Sequence, residues 1–155
     1  MATDAANGLE DWFQYLKQEE FEYLIQYIEN IKNGIPNDKM IILFGIGCNG
    51  KSRLMDEIQT HLGDELSGHE WDLNELICHE NIKPLIFLYE GMLDRTNHNY
   101  KRNLNLAHSL KHLIKFGISF IVAVNRIDLI NEKILEHSRI IEMTHIFTPN
   151  AQYIH

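Results

Sequence analysis

Gly45-Ile46-Gly47-Cys48-Asn49-Gly50-Lys51-Ser52 is the stretch on which the fold of this chain turns. It fits G-x-x-x-x-G-K-[ST], a pattern in which glycines let backbone N–H groups turn toward a phosphate. Its flanks fit as well. Met40-Ile41-Ile42-Leu43-Phe44 is an apolar run expected to be a buried strand entering the loop. Arg53 to Leu62 is expected as the helix leaving it, with Leu54, Ile58 and Leu62 on one face. The order strand, loop, helix matters because the helix N-terminus adds the positive end of its dipole to the cradle. Lys51 is placed to reach the β- and γ-phosphates of a nucleotide, and Ser52 to hold Mg²⁺. Gly45, Gly47, Cys48, Asn49, Gly50, Lys51, Ser52 and Arg53 are the expected nucleotide-binding residues.

Working outward, residues 9–33 read as helical, in two pieces, with Trp12, Phe13, Tyr15 and Leu16 apolar near the start. Phe21, Leu24, Ile25, Tyr27, Ile28 and Ile31 follow at helical spacing, and Gly34 and Pro36 stop the pattern. Past the loop helix, residues 66–72 are expected to hold a short strand and residues 72–77 a short capped helix. Pro84 to Tyr89 reads as a second buried strand, residues 91–102 as polar and irregular, and Asn105 to Phe116 as a helix. Ile118 to Val124 reads as a third strand and Arg139 to Phe147 as a fourth. Near-continuous apolar strands alternating with helices predict an α/β domain with a mainly parallel sheet covered on both faces. Residues 1–38 are expected to be an N-terminal helical segment packed on a core of residues 39–155, one domain overall.

The bulk properties bound the partners. The chain has 155 residues, 45% of them hydrophobic, which is material for one real core. Cys48 and Cys78 make no metal or disulfide pattern, so a reducing compartment is expected. No apolar run approaches the roughly 18 residues of a membrane span. The first residues lack the basic and apolar regions of a signal peptide, so the expected location is the cytoplasm or nucleus, without secretion. The formal net charge is -8, which disfavours general nucleic-acid binding. The charge is uneven: residues 95–155 hold 8 Lys/Arg against 4 Asp/Glu, enough for a local basic surface.

In a parallel sheet the active groups lie beyond the carboxyl ends of the strands. Glu90 ends the second strand, where an acid manages Mg²⁺ or the attacking water. Asp94 is a second acidic candidate. Asn125 ends the third, where its amide can contact the γ-phosphate; the plainer reading is a turn asparagine. Arg139 begins the last strand, either as a surface ion pair or as an arginine supplied to a neighbour's site. None of the 9 histidines stands in H-E-x-x-H. The segment Arg95 to Arg102, with His98, Tyr100 and Lys101, is either a solvated loop or a grip on a nucleic-acid backbone.

With these residues in hand, the chain resembles superfamily 3 helicases, AAA+-related P-loop ATPases of DNA viruses and mobile elements, and in particular the helicase part of poxvirus-type and phage-type primase-helicases. That family's loop reads G-x-G-x-N-G-K-S, which residues 45–52 match, Asn49 included. The lead-in Tyr23 to Ile28 and Gly34 is similar too. The resemblance implies a three-layer P-loop fold, ATP and Mg²⁺ as ligands, Glu90 as the Walker B acid, Asn125 as sensor and Arg139 as finger. It also implies a homo-oligomer, possibly a hexameric ring, with DNA and a replication protein as further partners. Two departures stand against unwinding. The family's lysine and Gly-Gly hairpin has no Gly-Gly here, and Lys101 and Lys111 are candidates for the lysine. Asp128 stands where a proline commonly follows the sensor.

Three rival readings stay open. Asn125-Arg126-Ile127-Asp128 resembles the N-K-x-D of GTPases, whose Asp recognises guanine, although no D-x-x-G surrounds Glu90-Gly91. The chain could equally be a nucleotide-binding assembly or regulatory module without turnover. A small-molecule kinase would need lid arginines, for which Arg95 and Arg102 are the candidates.

Overall fold

The computed structural model describes residues 8–69, 83–90, 93 and 100–147, with backbone alone for 100–107. A 3₁₀ turn, Asp11–Gln14, leads to helix α1, Gln18–Lys32. Strand β1 is Met40–Phe44 and helix α2 is Lys51–Leu62. Strands β2 and β3 are Ser67–His69 and Leu85–Leu88. Helix α3 is Tyr100–Lys115, strand β4 Ser119–Val124, helix α4 Glu132–Glu136 and strand β5 Ser138–Glu142.

The strands form one sheet in the order β2-β3-β4-β1-β5, and every pairing is parallel. The registers Ile41↔Ile121 and Ile41↔Arg139 place β1 between β4 and β5. Alternation of side chains sends Met40, Ile42, Ile86, Leu88, Phe120, Val122 and Val124 to one face, where Leu110, Leu113 and Ile114 of α3 and Ile134 of α4 cover them. Ile41, Leu43, Leu85, Phe87 and Ile121 go to the other, under Leu24, Tyr27 and Ile28 of α1 and Leu54 and Ile58 of α2. Both faces of β1, β3 and β4 are therefore dry, which is why those strands read as unbroken apolar runs. Burying each such Ile or Leu is worth about 1.5–3 kcal/mol. The N-terminal helices share this core, with Trp12 and Leu16 buried beside Leu54.

At the amino end of the sheet the polar groups close on one another. The Tyr27 hydroxyl has the carbonyls of Lys39 and Phe120 at 2.9 and 3.2 Å and accepts the Phe120 N–H at 3.1 Å. Burial pushes its pKa well above the ordinary phenol value. Asn37 Nδ2 donates to Tyr27 O at 3.1 Å and Ser119 Oγ at 2.9 Å, while its Oδ1 accepts from Asn30 at 2.9 Å.

Several expectations are corrected. Helix α3 begins at Tyr100, inside the stretch expected to be irregular, and α2 begins at Lys51. The last strand stops at Glu142. β1 ends at Phe44, so beyond Met143, whose N–H donates to Phe44 O at 2.7 Å, no strand remains to pair with. Residues 143–147 run along the loop after β1 instead. Helix α4 was not anticipated; Asn131 caps it by accepting the Lys133 N–H at 2.9 Å. The helix expected at 72–77 lies outside the described residues. Among the described residues no helix is long and apolar enough to cross a membrane.

Candidate functional site

Residues 45–50 join the carboxyl end of β1 to the first turn of α2. Gly50 takes φ 78°, ψ 22°, a left-handed conformation that turns the chain into the helix. A Cβ there would also sit 2.8 Å from Trp12 Cη2 and 2.9 Å from Phe147 Cε2. At Gly45 a Cβ would meet Asn49 Oδ1 at 2.5 Å and Met143 O at 2.9 Å. Gly45 is thus needed by space, and Gly50 by space as well as by torsion.

The start of α2 is bare. No side chain caps it and no acid stands in its first turn. The first backbone bond of the helix is Leu54 N–H to Gly50 O at 2.9 Å, so the N–H groups of Lys51, Ser52 and Arg53 precede the ladder. Three outward donors and a dipole end form an anion-attracting mouth. Ile46, Gly47 and Cys48 are exposed beside it, as are Ser52 and Arg53. Arg53 pairs with Glu57 at 3.5 Å, which also accepts the Trp12 indole N–H.

Lys51 is folded back under this mouth. Its Nζ donates to Gly45 O at 2.6 Å and reaches Gly47 O at 3.4 Å. Burial lowers its pKa from the ordinary lysine value, and the nearby Glu90 carboxylate and Cys48 thiol partly oppose this. Lys51, from the first turn of α2, and Glu90, from the end of β3, are therefore electrostatic neighbours. Glu90 is held by backbone: its Oε1 accepts the N–H of Asn125 at 2.9 Å and of Arg126 at 3.3 Å. This ties the acid to the end of β4, the strand between β3 and β1. Lys51, Glu90 and Asn125 thus gather at the carboxyl edge.

Asn49 fastens the loop to the chain after β5. Its Nδ2 donates to His145 O at 2.9 Å, and the Phe147 N–H donates to Cys48 O at 2.9 Å. Asn49 Oδ1 is buried without a partner. Tyr15, His145 and Phe147 stack around this strap, with Tyr15–His145 centroids 4.7 Å apart and Tyr15–Phe147 4.9 Å. Trp12, Tyr15, His145 and Phe147 build the loop's surroundings: Trp12 and Tyr15 pack on the core as part of the N-terminal segment, and Phe147 lies beyond the strand in which the sequence places it. No linear spacing links residues 12–15 with 145–147, so no local signal marked them.

Arg139 sits apart from this group. It lies in register with Ile41, on the amino half of β5. Its Nη2 donates to Glu20 at 2.7 Å, and its guanidinium lies 4.6 Å from the Tyr23 ring centroid. The Glu20 hydrogen bond raises its pKa further. Arg126 and Asp128 pair through two contacts, 3.1 and 2.6 Å. Asp94 and Arg95 to Asn99 lie outside the described residues, as do the side chains of Tyr100, Lys101 and Arg102. Among the described residues no group of three or more His, Cys, Asp or Glu could hold a metal by itself. The Ser52 hydroxyl and Glu90 carboxylate are all-oxygen donors of the kind Mg²⁺ takes, and Mg²⁺ needs only one or two protein oxygens when phosphate and water complete its shell. Comparison with protein-family models and with curated proteins finds no match for the chain.

Proposed function

We propose that the chain is a Mg²⁺-dependent P-loop NTPase that binds and hydrolyses ATP. The observation that carries this reading is the Lys51 ammonium resting on the Gly45 and Gly47 carbonyls beneath an uncapped helix start. A cation kept there by neutral carbonyls is ready to exchange them for phosphate oxygens, which add the attraction of opposite charge. The uncapped N–H groups take the remaining phosphate oxygens. Mg²⁺, held through Ser52 and Glu90, would neutralise charge on the transferred phosphoryl group. Glu90, anchored to the backbone N–H groups of Asn125 and Arg126, orients the attacking water, and the side-chain amide of Asn125 contacts the γ-phosphate.

ATP is favoured over GTP because both Asp128 oxygens already accept from Arg126. A guanine would have to displace that pair. The superfamily 3 likeness is retained for the ATPase core and for assembly into a ring. It is not extended to unwinding: between α3 and β4 stand only Phe116, Gly117 and Ile118, too little chain for a hairpin there. Arg139, paired within its own chain, is left out of the catalytic group.

The test is phosphate release with ATP and Mg²⁺, with GTP as competitor. Wild-type protein should turn over, at a rate per subunit that rises with concentration. Lys51→Ala should lose at least about a hundredfold in kcat/KM, or about 2.7 kcal/mol. ATP bound without turnover at any concentration would leave a regulatory module. Tighter GTP binding, lost in Asp128→Ala, would reverse the choice of base.

A further inference from the structure

Two hollows at the amino end of the sheet carry lysines in their walls. One, of about 380 Å³, is lined by Pro36, Asn37, Asp38, Lys111, Ile114, Lys115 and His137. The second, of about 420 Å³, includes Pro36, Lys83, Phe116 and Lys32 in its wall. Pro36 is common to both, and its ring packs 3.9 Å from where a Gly117 Cβ would stand. The hollows therefore adjoin across one proline.

The charge around them is one-sided. Between 108 and 115 the exposed residues of α3 are His108, Lys111, His112 and Lys115, with no carboxylate among them. Among the described residues Lys83, Lys111 and Lys115 take part in no ion pair, whereas Lys32 is paired with Glu29 at 3.4 Å. Asp38 is the one acid in either lining, and it also acts on Tyr23 from a neighbouring hollow. In a chain of net charge -8 this concentration of cations does not follow from composition. Phe116 adds an aromatic face: it is 73% exposed, and His112 packs edge-on to it at 4.7 Å. The polar atoms of Asn37 are already satisfied below, so the hollow's own recognition falls to Lys111, Lys115 and His137.

We propose that these hollows form a second phosphate-binding site, at the end of the sheet opposite the Lys51 loop, which takes a phosphate-bearing ligand on Lys111 and Lys115 with Phe116 as a surface for an attached base. The phosphate has two possible sources, a free polyphosphate or nucleotide and the backbone of a single-stranded nucleic acid. Lysines supply point charges suited to either, and a flat aromatic adds stacking only where a base is present.

The experiment uses the full chain carrying Lys51→Ala, which removes the loop as a competing site. Binding of inorganic tripolyphosphate is followed by calorimetry and binding of a labelled oligo-dT by anisotropy. Saturable binding of either is expected, weakened at least tenfold by Lys111→Glu with Lys115→Glu. These side chains are exposed, and an unchanged thermal midpoint checks that the variant folds. Oligo-dT at least tenfold tighter than tripolyphosphate, reduced severalfold by Phe116→Ala, assigns the site to nucleic acid; equal affinities with no Phe116 effect assign it to free phosphates. Its log affinity for oligo-dT should fall with log salt at a slope of about -1 to -2, at roughly 0.7 per phosphate neutralised. No saturable binding, an unaltered affinity in the charge-reversed variant, or equal displacement by poly-glutamate would overturn the proposal.

Discussion

The two ends of the sheet use similar polar residues to opposite effect. At the amino end, below the lysine-lined hollows, Tyr27, Asn30, Asn37 and Ser119 satisfy one another and the backbone. At the carboxyl end Lys51 and Glu90 are held by main-chain atoms: carbonyls for the cation, amides for the anion. A closed side-chain network makes a rigid floor, because losing any member orphans a buried partner. Backbone anchors leave charges that can exchange partners. The difference teaches that a polar residue in a parallel sheet is read by what holds it and at which end, more than by its type.

The contrast can be broken first at Glu90. Glu90→Gln should lose about 10²–10⁴-fold in turnover while ATP binding and thermal stability stay near wild type. An active variant would show that the acid is assigned to the wrong residue. At the other end Asn37→Ala should cost about 2–3 kcal/mol in urea unfolding, because it removes the bonds to Tyr27, Ser119 and Asn30 at a buried position, with Kd for ATP unchanged. A loss below about 0.5 kcal/mol would mean that the floor is not closed. Gly50→Ala should cost about 1–2 kcal/mol from its left-handed backbone, and more if the Trp12 and Phe147 rings cannot give way. A variant as stable as wild type would show the loop free to change conformation.

The smallest effect is on pH dependence. The Lys51 pKa is lowered on folding, so the unfolded chain binds its proton more readily. Stability contributed by this group therefore rises as pH climbs through its folded value toward the unfolded value of about 10.4. The thermal midpoint of Lys51→Met should exceed that of wild type by a margin that shrinks over this interval. A margin that grows with pH would mean that Glu90 outweighs burial.

Much of the scaffold was legible in the linear order of residues. Met40 to Phe44, the loop and Leu54, Ile58 and Leu62 stand together within a few turns of chain, and their periodicity reports local hydrogen bonding and alternation. Reading Glu90 and Asn125 as strand-end residues needed only the apolar runs before them. The end of the last strand is misplaced because Ile140, Ile141, Met143, Ile146 and Phe147 are apolar whether they pair or not. The first turn of α3 escapes the sequence reading because polar residues such as Lys101, Arg102 and Asn103 mask a helix when no apolar stripe is present.

The sequence by itself determined most of the element types, since helix and strand periodicity and the glycine torsions are local properties. Only the tertiary structure decided the neighbours. Setting β4 between β3 and β1 brings Glu90 onto the Asn125 amide, 35 residues away. Residues 143–147 lie against the loop, Trp12 and Phe147 close over Gly50, and Arg139 is bound to Glu20, 119 residues distant. Those contacts depend on which faces pack together, and packing is a property of the whole core that no short window of sequence carries.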